Sequence, residues 1–138
     1  IGIILKIVDG QIIINDKLVI RKKIEDFLDI DHKGNIKRIR QYKEYFYQLE
    51  TNVLDLKDNG IVDNTQIFNV PKDHFFVMGD NRDNSQDSRF ISYVGFIPIK
   101  NLVGKAQFIF FSLENSRFLE IWKWPKSIRF DRIFETIK

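Results

Sequence analysis

The residue types that could do chemistry are concentrated in residues 79–89, which read GDNRDNSQDSR. Every residue after Gly79 carries a carboxylate, amide, hydroxyl or guanidinium group, and apolar segments lie on both sides of the run. Groups of these kinds bind cations, transfer protons or hold a tight loop together by hydrogen bonds to its backbone. This segment, called the polar loop below, is therefore the first candidate for a functional site.

A calcium site is one interpretation of the polar loop, because oxygen ligands at alternate positions suit that ion. Counted from Asn81, the next ligand positions fall on Asp83, Ser85 and Asp87. The sixth position is Gln86, where such a loop requires glycine, and the twelfth is a serine in place of a bidentate glutamate. The histidines and remaining aspartates show no metal-ligand spacing either. We therefore expect no metal and no other cofactor.

A hydrolytic triad contained in this chain would need a histidine that can activate a serine. The only histidines are His32 and His74, and neither has a serine beside it in sequence. His74 follows a strand pattern and is expected to be a half-buried packing residue, whereas His32 is expected to be solvated in a polar turn. The residues alone favour a structural network, in which Asp87 and Arg89 pair across one face of an extended segment.

The order and spacing of these residues indicate more about function than their types alone. The pattern G-D-N-R-D-N-S-x-D-S-R is present at every fixed position from Gly79 to Arg89, and G-F-x-P and N-L-V-G-K-A follow at residues 95–98 and 101–106. With these motifs, residues 70–112 resemble the C-terminal signature of the bacterial type I signal peptidases. Residues 54–68 are similar to the segment that joins the insertion of that family to its core. Members are membrane-anchored proteases with a serine nucleophile and a lysine base.

Neither member of that catalytic dyad is in the sequence. The family's lysine lies in a K-R-x-x-G-x-P-G-D motif, and Gly2 aligns with the last glycine of that motif, with Ile3 where the family has aspartate. The serine motif S-M-x-P-T is missing as well, and Lys105 is expected to be solvated, not a substitute base. The chain begins with Ile1. We therefore expect the C-terminal part of a signal peptidase, inactive by itself.

The resemblance also implies roles for the polar loop. Ser85 would hydrogen-bond the nitrogen of the lysine base, and Gly79 would allow the backbone to approach the site closely. The remaining roles are structural: Asp80 would hold the arginine that follows the lysine, Asn81 and Asn84 would tie the loop to itself, and Asp87 would pair with Arg89.

The composition is consistent with an ordinary globular chain. Its 138 residues are 43% hydrophobic and 30% charged, which suits one domain with a small insertion. A net charge of +3 is too small to indicate a nucleic-acid partner. The chain has no cysteine, and no apolar run approaches the roughly 18 residues that span a bilayer. Disulfides and thiolate metal sites are thereby excluded.

The elements that must position the polar loop read mostly as strands. Asp9-Gly10 and Asn15-Asp16 separate short β-branched runs, which predicts a hairpin meander. Apolar residues at spacing three and four predict a short helix over 22–30. Further strands are predicted over 36–57, 66–70, 74–78 and 102–111. The predicted fold is mostly antiparallel β, with residues 1–66 forming the end of a core strand plus a small β insertion and residues 67–138 the rest of the core.

The function that the resemblance implies is removal of signal peptides from exported preproteins, after small residues and without a metal. The expected partners are signal peptides and the membrane surface, and the expected location is the outer face of a bacterial cytoplasmic membrane. Trp122 and Trp124 suit either a membrane-interface rim or packing on a sheet. Two alternatives stay open: a non-catalytic remnant, and a peptide- or membrane-binding β module.

Overall fold

A computed structural model describes residues 2–31 and 33–107, together with residues 109 and 136. The chain divides into two compact units, residues 1–101 and residues 102–138. In the second unit, residues 102–107 form no strand, contrary to the strand predicted over 102–111. The end of that predicted strand lies outside the described residues, as do His32, Trp122 and Trp124.

Ten strands are described in the first unit. In chain order they are β1 (Ile3–Val8), β2 (Gln11–Ile14), β3 (Lys17–Leu18), β4 (Ile20–Lys23), β5 (Phe27–Ile30), β6 (Ile36–Phe46), β7 (Leu49–Asp55), β8 (Phe68–Val70), β9 (His74–Phe75) and β10 (Ile97–Pro98). Two short 3₁₀ helices, Arg82–Asn84 and Ile99–Asn101, are the helical segments of the described residues. The prediction of a mostly antiparallel β fold is confirmed.

The first sheet has the strand order β3-β2-β1-β8, and each neighbouring pair is antiparallel. The predicted meander is confirmed, because both predicted turns have the left-handed backbone that two-residue hairpin loops require. The φ angles are 48° and 72° at Asp9 and Gly10, and 47° and 62° at Asn15 and Asp16. Asp, Asn and Gly adopt this conformation more readily than other residues do.

The second sheet is built on the eleven-residue strand β6. Strand β7 pairs with one edge of β6, and β4 and β5 pair with successive parts of its other edge, as the partners Ile20–Tyr45 and Phe27–Ile39 show. The helix predicted over 22–30 is therefore wrong. The long edge of β6 offers backbone partners to both short strands, and this tertiary pairing outweighs the local helical spacing.

The hydrophobic core of the first unit lies on the first sheet. Its buried members are Leu5, Ile7, Ile12, Val19 and Phe68. Half-buried side chains from the chain around the polar loop cover this core: Phe76 packs on Phe68 with ring centroids 4.9 Å apart, and Met78 and Phe96 lie beside them. The apolar residues on both sides of the polar loop thus anchor it to the first sheet.

Candidate functional site

The polar loop is closed at its base by a pair of contacts between Val77 and Ser88. The Val77 amide donates to the Ser88 hydroxyl at 3.0 Å, and the Ser88 amide donates to the Val77 carbonyl at 3.1 Å. Ser88 is completely buried. Ser88 was not among the candidate residues from the sequence; in the structure its hydroxyl takes the place that a backbone carbonyl would have in a strand ladder.

An ion pair between Asp87 and Arg89 occupies the interior of the loop. Nε of Arg89 lies 2.8 Å from Oδ1 of Asp87, and Nη2 lies 2.8 Å from Oδ2. Only 4% of Asp87 and 7% of Arg89 are exposed. The pairing expected from the sequence is present, and it is bidentate and buried, which is the strongest form of such a contact.

Gly79 and Ser85 pack directly against each other. A Cβ built on Gly79 would lie 2.6 Å from Cβ of Ser85 and closer still to its Oγ. Since real Cβ atoms do not approach other carbons so closely, a larger residue at position 79 would displace Ser85. The Gly79 amide also donates to Oδ2 of Asp87 at 2.9 Å. Glycine at position 79 therefore allows the close approach of the backbone to Ser85.

The electrostatics of the loop centre on Asp87. Burial alone would raise the pKa of the Asp87 carboxyl, but hydrogen bonds from Arg89, the Gly79 amide and the Ser85 hydroxyl outweigh burial and hold that pKa below its usual value. Asp87 is therefore ionised at neutral pH, and Arg89 balances its charge. Ser85 is half-buried, and its side chain packs against Gly79 at the start of the loop.

Asp80, Asn81 and Asn84 form the outer part of the loop. The Asp80 carboxylate is exposed and accepts a hydrogen bond from the Asn81 amide at 2.9 Å. The Asn84 amide donates to the Asn81 carbonyl at 3.0 Å, so backbone atoms and not the amide side chains make the contact between these two residues. The side-chain oxygen of Asn81 is buried without a hydrogen-bond partner among the described residues.

Strand β6 supplies a buried partner for the loop that the sequence analysis missed. Glu44, only 6% exposed, binds Arg82 with both carboxylate oxygens, and Nη1 of Arg82 lies 2.7 Å from Oε1. Nε of Arg82 donates to the Gly79 carbonyl at 3.3 Å, and the Arg82 carbonyl accepts from Nη2 of Arg89. Glu44 shares its face of β6 with Tyr42, and a buried carboxylate there needs a partner, but the sequence does not indicate which residue supplies it.

Further charged residues surround Glu44. Nη2 of Arg21 lies 2.7 Å from Oδ2 of Asp55, and Nε of Arg21 lies 3.9 Å from Oε1 of Glu44. The guanidinium of Arg21 also stacks on Tyr42, 3.9 Å from the ring centroid. Arg40 contacts the other oxygen of Asp55 at 3.0 Å. Buried charges of both signs are thus paired throughout this network, as burial demands.

The other candidates from the sequence lie apart from this arrangement. His74 is half-buried in β9, as expected, and its Nδ1 lies 2.9 Å from the Lys72 carbonyl. Lys105 is exposed, as expected. Within residues 2–31 and 33–107, three or more histidine or acidic side chains are nowhere grouped so that they could hold a metal ion. No helix in the described part of the chain has the length and hydropathy to cross a bilayer.

The geometry defines an antiparallel β scaffold that carries a polar loop with a buried Asp87–Arg89 ion pair and with Ser85 packed against Gly79. Residues 2–111 match the family described as "Signal peptidase, peptidase S26". The chain belongs to this family, as the sequence motifs indicated.

Curated relatives agree with the family assignment. Signal peptidase I of Rickettsia typhi is 32% identical over an alignment that covers 96% of this chain and 54% of the relative. Signal peptidase I of Rickettsia bellii strain OSU 85-389 is 33% identical, with 96% and 50% covered. Signal peptidase I of Rickettsia prowazekii is 30% identical, with 96% and 54% covered. The chain thus spans about half the length of the curated relatives it matches.

Proposed function

We propose that this chain is the C-terminal part of a signal peptidase I, which removes signal peptides from exported preproteins. The nucleophilic serine and the lysine base belong to a segment upstream of residue 1. The family match over residues 2–111 and the relatives named Signal peptidase I support this assignment. In this proposal residues 1–66 are the end of a core strand plus the β insertion, and residues 67–138 are the C-terminal part of the catalytic core.

The observation that carries the proposal is the close packing of Ser85 against Gly79 within the polar loop. A serine hydroxyl becomes an effective nucleophile only when a base takes its proton. A lysine can be that base only as a neutral amine, so its pKa must fall well below the usual value of about 10.4. In our proposal Ser85 hydrogen-bonds this amine and fixes its direction without adding charge.

Charge balance in the loop favours the neutral amine. A bare carboxylate beside the lysine would stabilise its charged form and raise its pKa. Asp87, a buried carboxylate of the same loop, is paired with Arg89 through both oxygens. The loop therefore offers the lysine the Ser85 hydroxyl as a partner, while Arg89 balances the charge of the Asp87 carboxylate.

The remaining parts of the proposal follow from the same assignment. Asp80 binds the arginine next to the lysine base, and Asn81 and Asn84 shape the outer turn. The substrate is an extended segment that adds to a sheet edge by backbone hydrogen bonds. The enzyme acts at the outer face of a bacterial cytoplasmic membrane, to which upstream segments anchor it, and it requires no cofactor.

The proposal is tested by comparing two purified proteins on one preprotein substrate. The 138-residue chain alone should leave the preprotein intact, because hydrogen bonds to a base cannot replace a nucleophile. The longer protein, with the serine and lysine segment restored, should cleave the signal peptide. Cleavage by the short chain, or no cleavage by a folded longer protein, would contradict the proposal, and the second outcome would favour a non-catalytic remnant.

A further inference from the structure

The polar loop is attached to the second sheet as well as to the core. The Leu54 amide donates to the Asp80 carbonyl at 2.8 Å, which joins strand β7 to the start of the loop. The carboxylate of Asp83 accepts from the amides of Leu56 and Lys57, at 2.7 and 3.2 Å. The first contact holds the backbone of the loop and the second holds the Asp83 side chain, and neither involves Gly79 or Ser85.

The third attachment reaches the side chains of the loop. Glu44 on β6 binds Arg82, and Arg82 contacts the loop on two sides, through its Nε to the Gly79 carbonyl and through its own carbonyl to Arg89. Gly79 packs on Ser85, so the place of Gly79 determines where the Ser85 hydroxyl lies. A displacement of Arg82 would therefore be transmitted to Ser85 from both sides.

Glu44 is well suited to hold Arg82 in one orientation. A bidentate carboxylate–guanidinium pair fixes direction as well as distance, which a single hydrogen bond does not. Both side chains are largely buried: the side-chain atoms alone are 11% exposed in Arg82 and 7% exposed in Glu44. Arg21, which stacks on Tyr42, also approaches Glu44, with its Nε 3.9 Å from Oε1.

We propose that Glu44 is a positioning residue of the reaction, which orients Ser85 through Arg82 from the second sheet. The inference rests on the proposed function, because Ser85 matters to catalysis only if it contacts the lysine base. It gives the second sheet a part in catalysis, because that sheet holds the loop that aligns the base. In Glu44→Gln the shape is kept, but an NH₂ group faces the donors of Arg82, so one of the two bonds is lost.

The test uses the full-length protein and measures kcat, KM, the pH–rate profile and the unfolding temperature of each variant. Glu44→Gln should lower kcat about tenfold, leave KM within about twofold and shift the limb of the pH–rate profile that reports the base. The matched control is Glu50→Gln. Glu50 is an exposed carboxylate of the same sheet, paired with Lys43 at 3.1 Å, and its loss should leave kcat and the pH profile unchanged.

If Glu44→Gln does not fold, a second variant tests the same inference. Arg82→Lys keeps the charge and the pairing with Glu44 but loses the bidentate geometry, and it should give the same selective loss of kcat. Activity in the wild type together with normal kcat in the folded variants would overturn this inference alone. A loss of kcat that only follows the loss of folded protein, with an unshifted pH profile, would overturn it too. An inactive wild type would overturn the proposed function and this inference with it.

Discussion

Ser85 occupies the space that a side chain at position 79 would fill: a Cβ on Gly79 would lie 2.6 Å from the Cβ of Ser85. This contact couples the backbone at the start of the polar loop to the hydroxyl in its middle. The amide of Gly79 also donates to Oδ2 of Asp87 at 2.9 Å. One glycine therefore links the two features on which the proposed chemistry depends.

The first prediction follows from that contact. Gly79→Ala in the full-length protein should push Ser85 aside, lowering the free energy of unfolding by about 1 to 3 kcal/mol and reducing kcat. Gly104→Ala is the matched control, because among the described residues no atom beyond its chain neighbours lies within 4 Å of the Cβ it would add, and its stability should be unchanged. Urea denaturation of both variants measures the effect. Equal stability of the two would show that the close packing is relieved without cost.

The second prediction concerns Arg89. Arg89→Ala removes one partner of a buried ion pair and should lower the free energy of unfolding by about 3 kcal/mol, since the Asp87 carboxylate would be left buried without its cation. The comparison is Arg38→Ala, which removes an exposed arginine of β6 and should cost less than about 0.5 kcal/mol. Thermal and urea unfolding measure both. Similar losses in the two variants would argue against a structural role for the pair.

The third prediction is a pH dependence set by Asp87, whose pKa is lowered in the folded protein. A carboxyl with a lowered pKa stabilises the fold fully above its unfolded pKa of about 3.9, and this contribution is lost as the pH falls through the folded pKa. The difference in unfolding free energy between wild type and Asp87→Asn should thus be large at pH 7 and shrink below about pH 4. Asp29→Asn, at an exposed position of β5, should show no comparable change. A difference that stays constant with pH would contradict the pairing.

The fourth prediction concerns the structural role of Ser88. Ser88→Ala should leave the Val77 amide without its acceptor and lower the free energy of unfolding by about 1 to 3 kcal/mol. Ser92→Ala is the matched control, because it changes an exposed serine and should be neutral. Amide hydrogen exchange at Val77 would show the effect directly. Unchanged protection of that amide would contradict the prediction.

Local features of the fold could be predicted from the sequence because short-range chemistry determines them. Asp9-Gly10 and Asn15-Asp16 specify their hairpin turns through backbone preference alone. The helix predicted over 22–30 was wrong because its spacing is a local signal, and the decisive partner, strand β6, begins only at residue 36. Pairing between distant segments leaves no comparable mark in either segment.

In the candidate site, too, local contacts could be predicted from the sequence and contacts between distant segments could not. The motif located the polar loop, and a two-residue spacing was enough to predict the Asp87–Arg89 pair. Glu44 lies 38 positions from Arg82, so the bond between them could not be predicted from a single sequence. Ser88 was missed for another reason: a serine that serves a backbone amide looks the same in sequence as a solvated one.

The central claim is that Ser85 orients the lysine base, and Ser85→Ala in the full-length protein tests it most directly. The measurement is kcat and KM on one signal-peptide substrate, with unfolding temperatures recorded for wild type, Ser85→Ala and the control Ser92→Ala. Ser85→Ala should lower kcat roughly 10- to 100-fold, because a positioning hydrogen bond to the base is lost, while KM and stability change little. A folded Ser85→Ala variant with the kcat of the wild type and of Ser92→Ala would contradict the claim.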